Sequence, residues 1–360
     1  MEELLRKIEA MRTAMRAERV AALRLRGTDW FAWATCGGSN AVLLTTGTGV
    51  AEVLVTPSRA SILTDEIEAQ RLRDEEVPAA FDVVASRWTD RTAAWDAVAR
   101  ESAGGGTIAS DCPAASEMPL PAPLVAARGT LLPDEMERYR VLGREAAEAA
   151  TDVLRSAQPE WTGWQLAGAA AEALWSRGIA PALTLAAGER RVAAYRHATA
   201  RDERLGARAL LVLCARRNGL FANLSRFVYF RAPSAAEIAL DDAVAAVEAD
   251  LLDALRTGLT LGDAYDLLAA SYARHGHPGA ERAHHQGGTC GYLSRDALAA
   301  PGSRVEVQRG GAVAFNPSLP GAKIEDTVLV GDGGVEVLTA DPRWPVRTVR
   351  GRPRPDLLVR

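Results

Sequence analysis

Two similar sets of helix and strand signals, about 100 residues apart, constrain the fold of this chain more than any other feature. Thr162-Gly163-Trp164-Gln165 has the spacing of a helix capping box, and Leu261-Gly262-Asp263 predicts a second helix start. Each predicted helix is followed by an apolar strand signal, at Leu210–Leu213 and at Ala312–Phe315. A turn and a further strand come after each signal. The sequence therefore predicts a domain with two repeated halves and a site where they meet.

A region with a different pattern precedes this repeat. It predicts an amphipathic helix over residues 4–24 and a charged helix at Glu66–Asp74 within an α/β domain. A Pro-rich stretch and a long helix from Pro133 to about Ser156 place the boundary near residue 130. We expect an α/β domain over 1–130, the repeated domain over 131–345 and a tail over 346–360. The predicted strands of the α/β domain are Trp30–Ala34, Ala41–Thr45, Glu52–Thr56 and Ser61–Leu63.

Charge and hydropathy exclude several classes of protein. The 42 basic residues comprise 40 Arg and only two Lys, are scattered, and are balanced by 46 acids, which argues against a nucleic-acid partner. No apolar run approaches the roughly 18 residues that a membrane span needs. The N-terminus is acidic and lacks the pattern of a signal peptide, so we expect a cytoplasmic protein. The four widely spaced Cys predict buried free thiols.

Several motifs in the second domain resemble those of one enzyme family. Lys323–Val330 is similar to R-x-E-D-x-V-x-V, the closing strand of the creatinase/aminopeptidase P family, which includes Xaa-Pro peptidases, methionine aminopeptidases and metal-free creatinase. The resemblance implies an α+β pita-bread fold for this domain and a homodimer. Further segments resemble the family's N-G-Y-x-x-D-x-T-R, H-x-x-G-H, E-P and substrate-side histidine motifs: Asn218–Arg226, His284–Gly288, Phe315–Pro317 and Tyr195–His197.

The resemblance also identifies where this chain departs from the family. The family's metallopeptidases hold two divalent ions with two Asp, one His and two Glu, a set of hard ligands that activates a bridging water. Only the last Glu is retained, and Arg295 replaces a second catalytic His. We therefore expect no metal at these positions and no other cofactor. The five metal-ligand positions fall on Val212, Asn223, Gly288, Asn316 and Glu325.

The residues that remain define a polar candidate site. Strand alternation places Asn223 and Ser225 on one face, so a pocket is expected to hold Asn223, Asn316 and Glu325 with His197 at its rim. A buried Glu without a metal needs a proton or a cation, and Arg226 and Arg295 are the candidates. His284 and His285 are further candidate ligand contacts. As adjacent residues on one strand, these two histidines are expected to point to opposite faces, which argues against a shared metal ion.

Two functions of different class follow from this set. The first is a metal-independent hydrolase of a C–N bond in a small amino-acid-like or peptide-like substrate, with His197 as acid and base. Glu325 would then orient a cationic or amide group, and an Arg would bind a carboxylate. The second is an inactive pseudo-peptidase that binds a small molecule, a peptide or an assembly partner. Each candidate residue also has a purely structural interpretation, such as a turn Asn or a buried ion pair, and a metalloenzyme with other ligands is a third alternative.

Overall fold

The computed structural model describes all residues from Met1 to Arg360. The chain consists of two compact units, Met1–Glu135 and Met136–Arg360. The first unit is built on a six-stranded mixed sheet in the order β4-β3-β2-β1-β5-β6. Its helices are α1 (Glu2–Glu18), α2 (Thr28–Ala34), α3 (Ala69–Arg71), α4 (Arg91–Ser102) and α5 (Ala122–Arg128). Its strands are β1 (Ala22–Gly27), β2 (Thr48–Val55), β3 (Ala60–Asp65), β4 (Asp82–Ser86), β5 (Ile108–Ser110) and β6 (Met118–Pro119).

Three of the local predictions for the first unit are wrong. The run Trp30–Ala34 is helical, because a short and wholly buried apolar run has no periodicity that separates a strand from a helix. Ala41–Thr45 forms no strand, and its apolar side chains are exposed. The predicted helix at Glu66–Asp74 is a single turn of α-helix followed by a π-helical turn over Leu72–Glu76. The helix predicted over residues 4–24 does form, but it ends at Glu18 and not at residue 24, because Arg19 adopts a left-handed conformation.

The second unit contains the repeated elements. Its helices are α6 (Pro133–Ser156), α7 (Gly163–Trp175), α8 (Glu189–Ala194), α9 (Ala235–Ala254) and α10 (Leu261–Arg274). Its longer strands are β7 (Ala180–Gly188), β8 (Arg208–Arg217), β9 (Leu220–Tyr229), β10 (Gly287–Cys290), β12 (Ala312–Phe315), β15 (Asp326–Gly331) and β16 (Gly334–Val337). The shorter strands are β11 (Ala297–Leu298), β13 (Ser318–Leu319), β14 (Ala322–Lys323), β17 (Val346–Val349), β18 (Arg352–Pro355) and β19 (Leu358–Val359).

Two antiparallel meanders, β7-β8-β9 and β10-β12-β15, form the centre of the second unit, as the repeat predicts. The helix starts that revealed the repeat are capped as expected. Thr162 and Gln165 form a reciprocal capping box on α7, and Thr260 accepts a hydrogen bond from the backbone of Asp263 at the start of α10. The repeat and the α+β class are therefore confirmed.

Residues 346–360 belong to the body of the second unit. The strand β19 pairs in parallel with β9, and Arg354 lies buried among the residues of the core. All four cysteines are unpaired, as predicted, but only Cys290 is fully buried, and Cys112 is exposed. No helix of this fold combines the length and the apolar character that crossing a membrane requires.

Candidate functional site

The candidate site lies where the two meanders meet edge to edge, at β9 and β15. The Ser225 backbone N–H donates to the Glu325 carbonyl at 3.0 Å. The Asn223 N–H donates to Thr327 Oγ1 at 2.7 Å, and the same hydroxyl donates to the Asn223 carbonyl at 3.0 Å. These bonds hold the strands in register, so that residues from both halves face one polar site.

Glu325 is the central charged group of this site. Its carboxylate pairs with the Arg295 guanidinium and accepts a hydrogen bond from Ser225 Oγ at 3.0 Å. Lys323 Nζ lies 3.4 Å from the same carboxylate. The side chains of Glu325 and Lys323 are 3% and 5% exposed, so the ion pairs are shielded from water. Of the two Arg candidates for pairing with Glu325, the structure selects Arg295.

These partners keep Glu325 ionised. Burial alone raises the pKa of a carboxyl group, but the positive charges of Lys323 and Arg295 outweigh burial and lower the pKa of Glu325 to about 2. Glu325 is therefore a fixed negative charge at neutral pH, bound by two cations, and not a proton donor. This environment agrees with the role of charge partner and disagrees with that of a general acid.

Lys323 is a site residue that the sequence analysis did not select. Two sequence signals identify it in retrospect. It is one of only two lysines in a chain with 40 Arg, and it precedes Glu325 by two residues, the spacing that places side chains on one face of an extended segment. The other lysine, Lys7, also pairs with a buried carboxylate, that of Glu3. In this chain, lysine is used where an ammonium group is buried.

Arg226, predicted to contact the ligand, lies outside the site. Because Ser225 points toward Glu325, its neighbour on the strand points to the opposite face. There Arg226 pairs with Asp326 at 2.7 Å and donates to the Thr339 carbonyl at 2.7 Å. Asp326 also pairs with Arg354, which binds Glu248 through two nitrogens. We call these four residues the buried ion network.

The site contains polar atoms that have no partner. Asn223 Oδ1, Asn316 Oδ1 and Arg295 Nε are buried and make no hydrogen bond. Asn316 lies directly after Phe315, which pairs with Asp326, so the same register places Asn316 beside Glu325. Most buried polar atoms have a hydrogen-bond partner, so an atom with no partner in the protein is free to bond to a ligand or to water. The two Asn are therefore candidates for contacting a bound molecule.

Gly288 is closed to any side chain by its neighbours. A Cβ at this position would lie 2.0 Å from the Ala297 carbonyl oxygen and 3.0 Å from the Leu298 Cα. A Cβ on Gly287, whose φ is +93°, would lie 2.2 Å from the Ala314 carbonyl oxygen. The absence of a side chain at these two positions therefore allows the neighbouring backbone to approach closely.

The histidines are arranged differently from the prediction. His197, from the loop after α8, meets His284 with a distance of 2.9 Å between their Nε2 atoms. His284 and His285 precede β10, where strand alternation does not apply, and their rings stack with centroids 4.4 Å apart. The expectation that these two rings point to opposite faces is therefore wrong. The three rings form one cluster, with His197 exposed at the rim as expected.

All three rings of this cluster are electrically neutral at neutral pH. Burial and the charge of Lys323 lower the pKa of His284 to about 3. Burial and the charge of Arg295 lower the pKa of His285 to about 4. The pKa of His197 is lowered as well, by burial and by Lys323. Neutral imidazole rings carry a free lone pair, so the cluster can accept a proton or bind a metal.

A match to a known family covers this part of the chain. Residues 137–332 match the sequence profile of metallopeptidase family M24. The matched range covers more than half of the 360 residues. The chain therefore belongs to this family. No curated protein sequence matches it significantly.

Solved structures extend the likeness over nearly the whole chain. An Xaa-Pro dipeptidase from Bacillus anthracis matches with a TM-score of 0.77 and 18% identity, covering 99% of both chains. Dipeptidase PepE from Mycobacterium ulcerans matches with a TM-score of 0.78 and 17% identity, covering 99% of this chain and 98% of its own. The N-terminal domain of FACT complex subunit SPT16 from Cicer arietinum (chickpea) matches with a TM-score of 0.70 and 12% identity, covering 94% and 96%. These likenesses establish the pita-bread fold.

Proposed function

We propose that this chain is a member of family M24 without the two-metal centre, and that it binds a small amino-acid-like or peptide-like ligand. The observation that carries this proposal is the pairing of Glu325 with Arg295 and Lys323. Arg295 and Lys323 both lie beside Glu325, the one carboxylate of the family's metal-ligand set that this chain keeps. A divalent ion placed there would meet two positive charges and would have to break both ion pairs.

The other positions aligned with metal ligands do not fit such a centre either. Val212 packs in an apolar cluster and has no donor atom. Gly288 has no room for a side chain. Asn223 and Asn316 supply neutral carbonyl oxygens, which are weak ligands when one carboxylate must neutralise two dications. No reaction step through a two-metal centre follows from this set of residues.

The unpaired atoms support an amino-acid-like ligand. Asn223 Oδ1 and Asn316 Oδ1 are acceptors, and an ammonium group supplies three donors. Arg295 and Lys323 supply positive charge beside them, which favours a carboxylate. A zwitterion such as an amino acid, or a peptide end, carries both groups.

One of the similar folds belongs to a protein named as a subunit of a complex, so this fold also has uses outside the dipeptidases.

A second candidate is supported by His197, whose neutral ring is exposed to solvent. In a metal-independent hydrolase, His197 would accept a proton from water while the resulting hydroxide adds to the carbon of a C–N bond. The same proton would then pass to the departing nitrogen, which leaves as an amine and restores the ring. Glu325 would act only as a fixed charge in this reaction, because it stays ionised.

One experiment separates these candidates. The purified protein is screened against amino acids and Xaa-Pro dipeptides by thermal shift, and each compound that stabilises it is incubated and assayed for hydrolysis. Asn316→Ala should weaken binding of a stabilising compound about 10-fold or more, which is roughly 1.4 kcal/mol. Asn218→Gly, in an exposed turn with positive φ, is the matched control and should bind normally.

The outcomes are distinct. Binding without hydrolysis supports the first candidate. Hydrolysis that survives chelator and disappears in His197→Gln supports the second candidate and overturns the first. If no amino-acid-like compound binds, or if Asn316→Ala binds as well as the unchanged protein, the proposed ligand site is wrong.

A further inference from the structure

The three-histidine cluster of His197, His284 and His285 has the composition and spacing of a metal site. One ligand atom from each ring lies within 4.8 Å of the corresponding atoms of the others. The rings come from two separate segments, the loop after α8 and the segment before β10. Three imidazoles that converge from distant parts of a chain bring three nitrogens, the atoms that bind zinc, into one small volume.

Two further observations concern His284, the ring at the centre of this cluster. His284 Nδ1 is buried and makes no hydrogen bond. Whichever tautomer the ring adopts, His284 therefore carries an unused donor or an unused lone pair. The backbone at His284 is also fixed in place, because the buried Gln286 side chain donates to its carbonyl at 2.7 Å, and Tyr272 in turn donates to Gln286 at 3.1 Å.

We propose that the three-histidine cluster binds one Zn²⁺ ion, with the fourth coordination position open to solvent. This site is separate from the positions that the family uses for its two metals. It includes none of the Asn, Gly or Glu residues discussed for those positions. The proposal also does not rest on the proposed amino-acid ligand, since either site can exist without the other.

The geometry is close to what zinc requires. Tetrahedral zinc with Zn–N bonds of about 2.0–2.1 Å needs nitrogens about 3.3 Å apart. The His197 and His284 Nε2 atoms are 2.9 Å apart, and all the ligand atoms lie within 4.8 Å. His197 and His285 are exposed, so small rotations of these two side chains are sufficient. Three protein ligands with an open fourth position are typical of catalytic and ligand-binding zinc sites.

Ligand chemistry selects the type of metal. A site made only of imidazoles suits zinc, copper and nickel, whereas Mg²⁺, Ca²⁺ and Mn²⁺ prefer carboxylates and water. The charges that face the cluster limit its affinity. Lys323 and Arg295 repel a cation, and Glu325 attracts it. We therefore expect selective binding of zinc over magnesium, with lower affinity than a site lined by acids.

The test is a zinc titration of the full-length protein after removal of metal with a chelator. Binding is followed by competition with a chromogenic zinc chelator, and Co²⁺ is added separately because its visible spectrum reports tetrahedral nitrogen coordination. We expect one Zn²⁺ per chain and no binding of Mg²⁺. Because loss of even an outer partner of a ligand costs 10–100-fold in metal affinity, His284→Ala should weaken zinc binding by at least about 10-fold.

His277→Ala is the matched control, since His277 lies in the turn after α10 and outside the cluster. His197→Ala provides a second test if His284→Ala fails to fold, because His197 is exposed on a loop. Thermal melts without metal show whether each variant is folded. The proposal is overturned if zinc binds equally well to the cluster variants and the control. It is also overturned if binding is lost only in Glu325→Gln, which would place the ion at the family's own metal positions, or if no zinc binds.

Discussion

Two polar clusters lie back to back on the same pair of strands, and they differ in how completely their groups are paired. On one face, Asp326 binds Arg226 and Arg354 and accepts a hydrogen bond from Thr339. On the other face, the neighbouring Glu325 is paired, but Asn223 Oδ1, Asn316 Oδ1 and Arg295 Nε beside it are left without partners.

This difference separates a structural network from a binding site. Charged groups on both faces are buried, so burial and charge alone do not identify function. A structural network must satisfy its own groups, since an unpaired buried polar group costs about 1–3 kcal/mol. A binding site keeps some groups unpaired for the ligand. Pairing is therefore the criterion that assigns Arg226 to the core and the two Asn to the candidate site.

The largest effect should come from breaking the buried ion network. Arg354→Met leaves Glu248 and Asp326 short of a cation and should lower the free energy of unfolding by about 3–5 kcal/mol, measured by urea denaturation. Arg140→Met, which removes an exposed pair with Glu336, is the matched control and should cost less than about 1 kcal/mol. Equal losses in the two variants would contradict the assignment of this network to the core.

The next largest effect is the pH dependence of the stability that Glu325 contributes. Because the pKa of Glu325 is lowered to about 2, its pairing stabilises the protein above the ordinary Glu range and is lost as pH falls toward 2. Glu325→Gln removes this contribution. The stability difference between the two proteins should shrink by on the order of 2 kcal/mol between pH 5 and pH 2.5, measured by urea denaturation at each pH. A difference that is independent of pH would show that Glu325 is not ionised in the folded protein.

A smaller effect is expected at Gly288, the position where the motif resemblance places the family's metal histidine. Gly288→Ala places a Cβ against the Ala297 carbonyl and should cost about 1–3 kcal/mol. Gly333→Ala, in a turn with nothing within 4 Å, is the control and should be nearly neutral. Thermal denaturation of the two variants makes the comparison. If Gly288→Ala is as stable as the control, this position has room for a side chain, and the backbone contact does not exclude a metal ligand there.

The smallest effect on stability should come from Asn316→Ala. Its Oδ1 atom has no hydrogen-bond partner within the protein, so its removal should change the free energy of unfolding by less than about 1 kcal/mol. Ligand binding should fall far more than stability does. A large loss of stability in urea denaturation would place Asn316 with the structural residues and remove it from the candidate site.

The sequence predicts the second unit better than the first for a physical reason. Capping residues such as Thr162 act through local hydrogen bonds, so their spacing alone identifies α7 and its repeat. The run Trp30–Ala34 has no such local signal, because its burial on all sides is decided by the rest of the unit.

The candidate site was predictable in part. Alternation along β9 places Ser225 toward Glu325, and the same alternation turns Arg226 to the other face, so the prediction that Arg226 contacts the ligand conflicts with the strand pattern itself. The choice of Arg295 as the partner of Glu325 depends on a contact between residues 30 positions apart, and sequence spacing does not determine such a contact. The histidine cluster depends on a still longer contact, between residues 87 positions apart.

The buried ion network also has a consequence for how the chain is made. Glu248 and Arg354 are separated by 106 residues, and ribosomes add about 5–20 residues per second. Glu248 is therefore synthesised roughly 5–20 s before its partner. During that interval its carboxylate has no guanidinium to pair with, and burying it would be costly. The side of α9 that carries Glu248 can therefore complete its native packing only after Arg354 has been made, so the last residues of the chain close this part of the core.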